Sequence, residues 1–329
     1  MTMSLVLPLA GPAGEPVDLW RTLVSHGIAE LPPAELDESA RTFRTTLRLR
    51  AGKPRTVVVT EDGPGAARIE VLGPAPAAGV GDQVLAVVRG MLNLDEDLSD
   101  FYRMAAKDER LAWVAAGAGR MLRSPTVYED VVKTICTTNC AWSATVRMVT
   151  ALVWKLGERS AGGFGAAFPT PAAMAEAPES FYRDEVRAGY RGAYLRALAS
   201  AVATGEIDLE ALRQASPEEL PDDEVATRLL ALPGVGPYAA AHVMMLLGRH
   251  SRLILDSWTR PTFARINGRK ASDATILRRF RRYGRYAGLA FWLLLTRDWV
   301  TEEVEAVAGD TPAEPTTGTT PPPESAIGP

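Results

Sequence analysis

The chain is poor in the residues that mark several protein classes. Among 329 residues there are two cysteines and three histidines. Cys136 and Cys140 stand four apart within what reads as a helix, and no further cysteine or ligand-spaced histidine joins them. That pattern argues against a disulfide framework and a metal site, and for two reduced core thiols in a cytoplasmic protein. No stretch holds eighteen uninterrupted apolar residues. The apolar opening "SLVLPLAGPAG" lacks a basic leader and is broken by prolines, so neither a signal peptide nor a membrane span is expected. Basic residues are absent beyond Val300, where Glu302, Glu303, Glu305, Asp310, Glu314 and Glu324 all lie. The net charge of -4 therefore hides a nearly balanced body.

What remains is a globular composition, 47% hydrophobic and 23% charged, long enough for two domains. Between 260 and 285 the charge is lopsided. Arg260, Arg265, Arg269, Lys270, Arg278, Arg279, Arg281, Arg282 and Arg285 face only Asp273. Such a run is either a solvated face or an attraction for phosphates, because local density and not the global sum sets the field.

"RTFRTTLRLR", "RTVVVT" and "ARIEVL", between about 40 and 72, are β-branched or alternating runs parted by "AGKP" and "EDGPG". They predict antiparallel strands joined by turns. Past about residue 82 the period becomes helical, as in Leu195, Leu198, Ala199 and Val202. Ser124 with Pro125 reads as a helix start, and Ser216, Pro217 and Glu219 have capping-box spacing. The expected organisation is α+β: a strand-rich portion over 1–95, a helical portion over 96–305 and a disordered Pro- and Thr-rich tail over 306–329.

"LPGVGPYAA", residues 232–240, sits between two helical stretches, "DDEVATRLLA" and "YAAAHVMMLLG". Gly234 and Gly236 lack Cβ atoms and tolerate positive φ, so loop amides can approach a phosphate. Leu232 and Val235 pin the turn, and Pro237 opens a helix whose dipole favours an anion. Asp256 follows the apolar run "RLIL", eighteen residues after Tyr238. Alone it reads as a helix cap.

The hairpin and the spaced aspartate together resemble the helix-hairpin-helix DNA glycosylases of base excision repair. "TICTTNCAWSATVRMVTALVWKLG", "AGYRGAYLRALASAV" and "YGRYAGLAFWLLL" are similar to helices of the 8-oxoguanine branch, and the likeness spans about 120–297. A strand-rich portion ahead of them is shared with the 8-oxoguanine and alkyladenine branches, which implies a small antiparallel sheet of the TATA-binding-protein type. The resemblance implies that Asp256 is catalytic, stabilising an oxocarbenium ion or activating water. At position 238 bifunctional relatives carry a lysine that forms a Schiff base; Tyr238 cannot, which implies a monofunctional enzyme. Leu232, Gly234, Val235, Gly236, Asn139 and Arg260 match DNA-contacting positions.

His242, Leu246, Trp258, Phe291 and Leu295 match the base pocket, with Trp292 as a further candidate ring, although a core role suits His242 and each of the aromatic rings too. Phe291 replaces the glutamine that the 8-oxoguanine branch uses to read its base. An aromatic pocket suits a cationic alkylated purine such as 3-methyladenine. The alternatives are a glycosylase for 8-oxoguanine or a deaminated base, and a damage-binding protein without catalysis. The implied partner is duplex DNA with a flipped damaged base, bound by a monomer associated with the nucleoid. No cofactor, catalytic metal or iron–sulfur cluster is implied, though the hairpin carbonyls suit a structural monovalent cation. Pro261, five residues past Asp256, implies that the next helix is kinked or starts nearer Thr259.

Overall fold

Strict alternation builds the first layer. Ala67, Ile69 and Val71 turn inward from one strand and Val57 and Val59 from its neighbour, while Arg68 and Glu70 face out. In the computed structural model, which describes residues 3–300, these belong to β4 (Arg55–Glu61) and β5 (Ala66–Val71). With β1 (Met3–Pro8), β2 (Glu35–Asp37) and β3 (Thr42–Leu47) they form an antiparallel sheet in the order β1-β5-β4-β3-β2. The sequence reading found the three inner strands and missed both edges. β2 is too short to show alternation, and β1 carries the exposed Val6. The expected tail, 306–329, lies outside the described residues.

Helices follow: α1 (Leu19–Leu23) precedes β2, and α2 (Val80–Met91) and α3 (Ser99–Ala105) leave the sheet. The remainder comprises α4 (Val127–Thr137), α5 (Trp142–Leu156), α6 (Pro171–Glu176), α7 (Arg191–Ala203) and α8 (Ala211–Gln214). After them come α9 (Asp222–Leu230), α10 (Pro237–Leu246), α11 (Thr259–Asn267), α12 (Asp273–Phe280) and α13 (Ala287–Thr296). The fold is α+β. Ser124 is not the cap of α4; the Thr126 side chain accepts from the Glu129 amide, because Pro125 delays the helix past itself. The Ser216–Glu219 box forms in both directions, at 2.9 and 3.3 Å, around a single turn.

Three apolar cores result. Val80, Val84, Val88 and Met91 of α2 line one helix face and close over the sheet. α4, α5, α7, α9 and part of α10 enclose a second core, and α3, α12, α13 and the rest of α10 a third. Polar groups stitch the cores together. Arg120, fully buried, pairs with Glu15 at 2.8 Å and donates to the carbonyls of Asn93 and Glu96. His250 in turn meets Glu96 at 2.6 Å. No helix among the described residues is long and apolar enough to cross a membrane.

Gly288 of α13 marks the closest approach of two segments. Its amide donates to the His250 carbonyl at 2.7 Å, and a Cβ there would lie 2.1 Å from the Arg252 carbonyl oxygen. Gly90, near the end of α2, has open space instead. Gly288→Ala is expected to lower the unfolding free energy by roughly 3 kcal/mol or more through forced separation of backbone. Gly90→Ala should raise it by about 0.5–1 kcal/mol through lost chain entropy. Paired urea titrations of the two variants check both signs.

Candidate active site

Leu232 and Val235 are buried and hold the hairpin between α9 and α10, where the Val235 amide donates to the Leu232 carbonyl at 3.2 Å. Gly234 has φ 79°, and a Cβ there would lie 2.9 Å from the Tyr194 ring. Both sterics and handedness require glycine. Gly236 corrects the sequence reading, since its φ of −100° is accessible to any residue. What it contributes is bareness, with open space where a Cβ would stand. Pro237 has no amide hydrogen, and the amides of Tyr238 and Ala239 open α10 before any preceding turn can take them. The hairpin thus presents backbone donors at a positive helix end.

Asn139 occupies the turn between α4 and α5 in the left-handed region, φ 45°, with an exposed side chain. Asparagine adopts that region more readily than most residues. Arg191, almost buried, donates through Nη2 to the neighbouring Thr138 carbonyl and through Nε to Thr138 Oγ1 at 3.3 Å. On the other side Thr137 Oγ1 lies 3.3 Å from the Tyr238 hydroxyl. The Asn139 turn is therefore tied to α7 and α10 at once. Tyr190 and Tyr194, exposed and edge to face at 6.0 Å, stand beside it, and the Asn139 side chain reaches the Tyr190 hydroxyl at 3.4 Å. Sequence reasoning passed over these two tyrosines and Arg191; their exposure beside a glycine hairpin is a tertiary fact.

Asp256 is half buried. Its Oδ1 accepts from the amides of Trp258 and Thr259, at 2.9 and 2.6 Å, and the Thr259 hydroxyl accepts from the Asp256 amide at 2.8 Å. It is a helix cap. Among the described residues no donor takes Oδ2, so capping leaves one carboxylate oxygen for chemistry. Regular α11 begins at Thr259 because Pro261 has no hydrogen for the Ser257 carbonyl, which settles the choice between a late start and a kink. Burial raises the Tyr238 phenol above its usual range, and the negative Asp256 nearby adds to that rise.

A chain of aromatic rings runs from Tyr238 to Trp258. Trp258, partly exposed, lies 5.6 Å from Trp292 and 5.5 Å from Trp299, and Trp292 and Trp299 are 5.9 Å apart. His242 packs between Tyr238 at 6.0 Å and Trp292 at 6.3 Å. The pocket assignment of Phe291 needs correction. That ring is fully buried between Phe263 and Phe280, at 5.9 and 5.1 Å, and the α13 aromatic turned toward Trp258 is Trp292. α13 is buried all round, so its sequence carries no polar stripe to reveal which face meets the site. Leu246 and Leu295 belong to the same core as Phe291. Arg260 is held by Asp273 in a two-pronged pair at 2.8 and 2.9 Å, so its charge is locally answered. Arg265, Arg269, Lys270 and Arg278 are exposed around it.

The N-terminal portion also enters the site. His26 meets His242 edge to face at 5.5 Å, and Ser25 accepts from Trp292 Nε1 at 2.8 Å. His26 Nε2 lies 2.5 Å from the Leu122 carbonyl. Seven buried side-chain nitrogens and oxygens among the described residues lack a partner, and three of them are His26 Nδ1 and both ring nitrogens of His242. Leaving such atoms unpaired costs roughly 1–3 kcal/mol each. Desolvation lowers His242 to about 3, and His26, beside the cationic Lys133 as well, to about 4. Lys133 itself is buried and paired with Glu129 at 2.7 Å.

No protein-family model matches the chain, and no curated protein matches it in sequence. Solved structures match in fold. A 3-methyladenine DNA glycosylase from Archaeoglobus fulgidus aligns with 91% of this chain and 100% of its own, at TM-score 0.68 and 21% identity. MBOgg1 in complex with a low-affinity DNA ligand aligns with 90% of this chain and 96% of its own, at 0.68 and 19%. The 8-oxoguanine glycosylase/lyase of Clostridium acetobutylicum, bound to duplex DNA with cytosine opposite 8-oxoguanine, aligns with 86% and 92%, at 0.66 and 21%. The chain has the fold of the helix-hairpin-helix DNA glycosylases.

The buried imidazoles make stability depend on pH in a stated direction. The unfolded chain protonates His242 near pH 6.5, whereas the folded chain resists until about 3. Stability from this residue is thus constant above pH 6.5 and falls as pH drops below it. His242→Phe removes that loss. Its unfolding free energy relative to the wild type should be more favourable at pH 5.5 than at pH 7.5 by on the order of 1 kcal/mol. Urea midpoints at the two pH values measure it, and an unchanged difference would contradict a neutral buried His242.

Proposed function

We propose that the chain is a monofunctional DNA glycosylase that hydrolyses the N-glycosidic bond of an extruded alkylated purine. The observation that carries this reading is the Asp256 carboxylate, with one oxygen spared from the turn's amides, at the start of a segment whose Trp258 ring packs in a cluster of indoles. As the bond from C1′ to the base nitrogen breaks, its electron pair leaves with the base and positive charge develops on the sugar. Oδ2 stabilises that charge and takes a proton from the water that adds to C1′. A base already made cationic by alkylation departs neutral, so no acid is needed to protonate it.

Tyr238 has no amine to form an imine, and Lys133 is engaged with Glu129, which supports water as the nucleophile. Trp258, Trp292 and Trp299 offer electron-rich faces to a cationic ring. The fold neighbours act on 3-methyladenine in one case and 8-oxoguanine in another, and the indoles favour the first. DNA would lie across the α10 amides, Asn139 and the basic surface of α11 and α12, with Tyr190 and Tyr194 against it.

Asp256→Asn tests the reading cleanly, because asparagine keeps an acceptor for the Trp258 and Thr259 amides. Base release from a lesion-bearing duplex should fall roughly a thousand-fold, with DNA affinity within a few-fold of wild type. Tyr238→Phe should change release only modestly. An Asp256→Asn chain of undiminished activity would remove the catalytic assignment, and a wild-type chain that binds damaged duplexes without releasing any base would make Asp256 a cap and the protein a damage binder.

A further inference from the structure

The outward face of a surface helix is normally polar, and that of α5 is not. Trp142, Val146 and Trp154 lie on one i+4 ridge with Thr150 between them, and the three apolar members are 45%, 37% and 43% exposed. The inward face, with Met148, Val149, Leu152 and Val153, is sunk in the second core, so the ridge stands on a rigid support. α5 carries no acidic residue. Of its two cations, Lys155 meets Glu185 at 3.2 Å, whereas Arg147 is exposed and has no carboxylate partner among the described residues. Just past the helix, Arg159 lies over the Trp154 ring at 4.4 Å from its centroid, and the neighbouring Glu158 is taken by Arg48 at 2.7 Å. Positive charge is in excess along the ridge, and bare indole stands beside it.

The ridge begins where the candidate DNA contacts end. Trp142 is three residues beyond Asn139, and from it the helix rises roughly 18 Å to Trp154. We infer that this ridge is a track for an unpaired DNA strand leaving the Asn139 turn, so that the chain engages junctions of duplex and single strand. Only the placement of duplex at that turn rests on the glycosylase reading above. Exposed rings distinguish the two forms of DNA. In a duplex the base faces are stacked on one another and a protein surface meets phosphates. In a single strand each base has a free face, which an aromatic side chain can stack whatever the sequence. Trp154 is already assembled with Arg159 as a cation–aromatic pair, and Arg147, between the two indoles along the helix, is free to answer a phosphate. The track is separate from the cluster at Trp258, so it extends the bound length of DNA without touching Asp256.

Fluorescence anisotropy of the full-length chain tests this with labelled probes: a blunt undamaged duplex, and the same duplex with a thymidine tail on the 5′ or the 3′ end. One tailed probe should bind roughly ten-fold more tightly than the blunt duplex, and the responsive end gives the polarity of the track. Trp154→Ala should remove most of that gain and leave blunt-duplex affinity unchanged, whereas Trp154→Phe, which keeps a ring, should retain it. Arg147→Gln should lower the slope of log affinity against log salt for the tailed probe by about 0.7. Equal affinity for blunt and tailed probes, or a gain undiminished in Trp154→Ala, would overturn the inference. So would self-association through the ridge, read as sedimentation that quickens with concentration in the wild type and not in Trp154→Ala, with no tail bound. A tail-dependent gain in a chain that releases no base would sustain the track and overturn the catalytic reading alone. Base release without such a gain would do the reverse.

Discussion

The burial of α10 on every side is the constraint from which the site follows. Ala239 through Leu246 are all buried, with Val243 and Met244 in one core and Met245 and Leu246 in another. Those four side chains contribute on the order of 8 kcal/mol of apolar burial, an upper bound against a fully extended unfolded chain. A helix shared by two cores cannot slide along either. Its N-terminus therefore holds the hairpin amides, the Tyr238 ring and, one turn on, His242 in a single fixed frame. Asp256 is fixed by the turn it closes with Trp258 and Thr259 just ahead of α11. Precision at the candidate site is thus inherited from packing.

Much of this was legible in the chain because local rules and global fold agreed. Alternation at Ala67, Ile69 and Val71 gave the inner strands, and the glycines of LPGVGPY gave the hairpin. Asp256 stood out through the family resemblance that its spacing from Tyr238 carries. The failures occurred where a helix has no polar face. In α13 the sequence offered Phe291 and Trp292 equally, and only the neighbours Phe263 and Phe280 decide which ring turns into the core. The N-terminal contribution was hidden for a related reason. His26 lies in a short irregular stretch with no period, and its meaning comes from residues 96 and 216 positions away, Leu122 and His242.

The charges teach a similar point. The basic run between 260 and 285 seemed uniform in sequence, yet Asp273 answers Arg260, and Asp108 answers Arg282. The residues left exposed on α11 and α12 are those able to follow a phosphate backbone. Against them the aromatic cluster is neutral and partly buried. In the proposed function the basic surface would follow the phosphate backbone and the aromatic cluster would take the extruded base.

The most direct test of the account is base release by the wild-type chain from a panel of duplexes, each with one lesion, scored with and without alkali. The panel comprises a stable 3-methyladenine analogue, 7-methylguanine, hypoxanthine, uracil, 8-oxoguanine and adenine opposite 8-oxoguanine. The account predicts strand breaks only after alkali, from the alkylated-adenine duplex above the rest. Breaks that form without alkali, trapped as a covalent adduct by borohydride, would contradict it and require an amine nucleophile other than the described side chains at Tyr238 and Asp256.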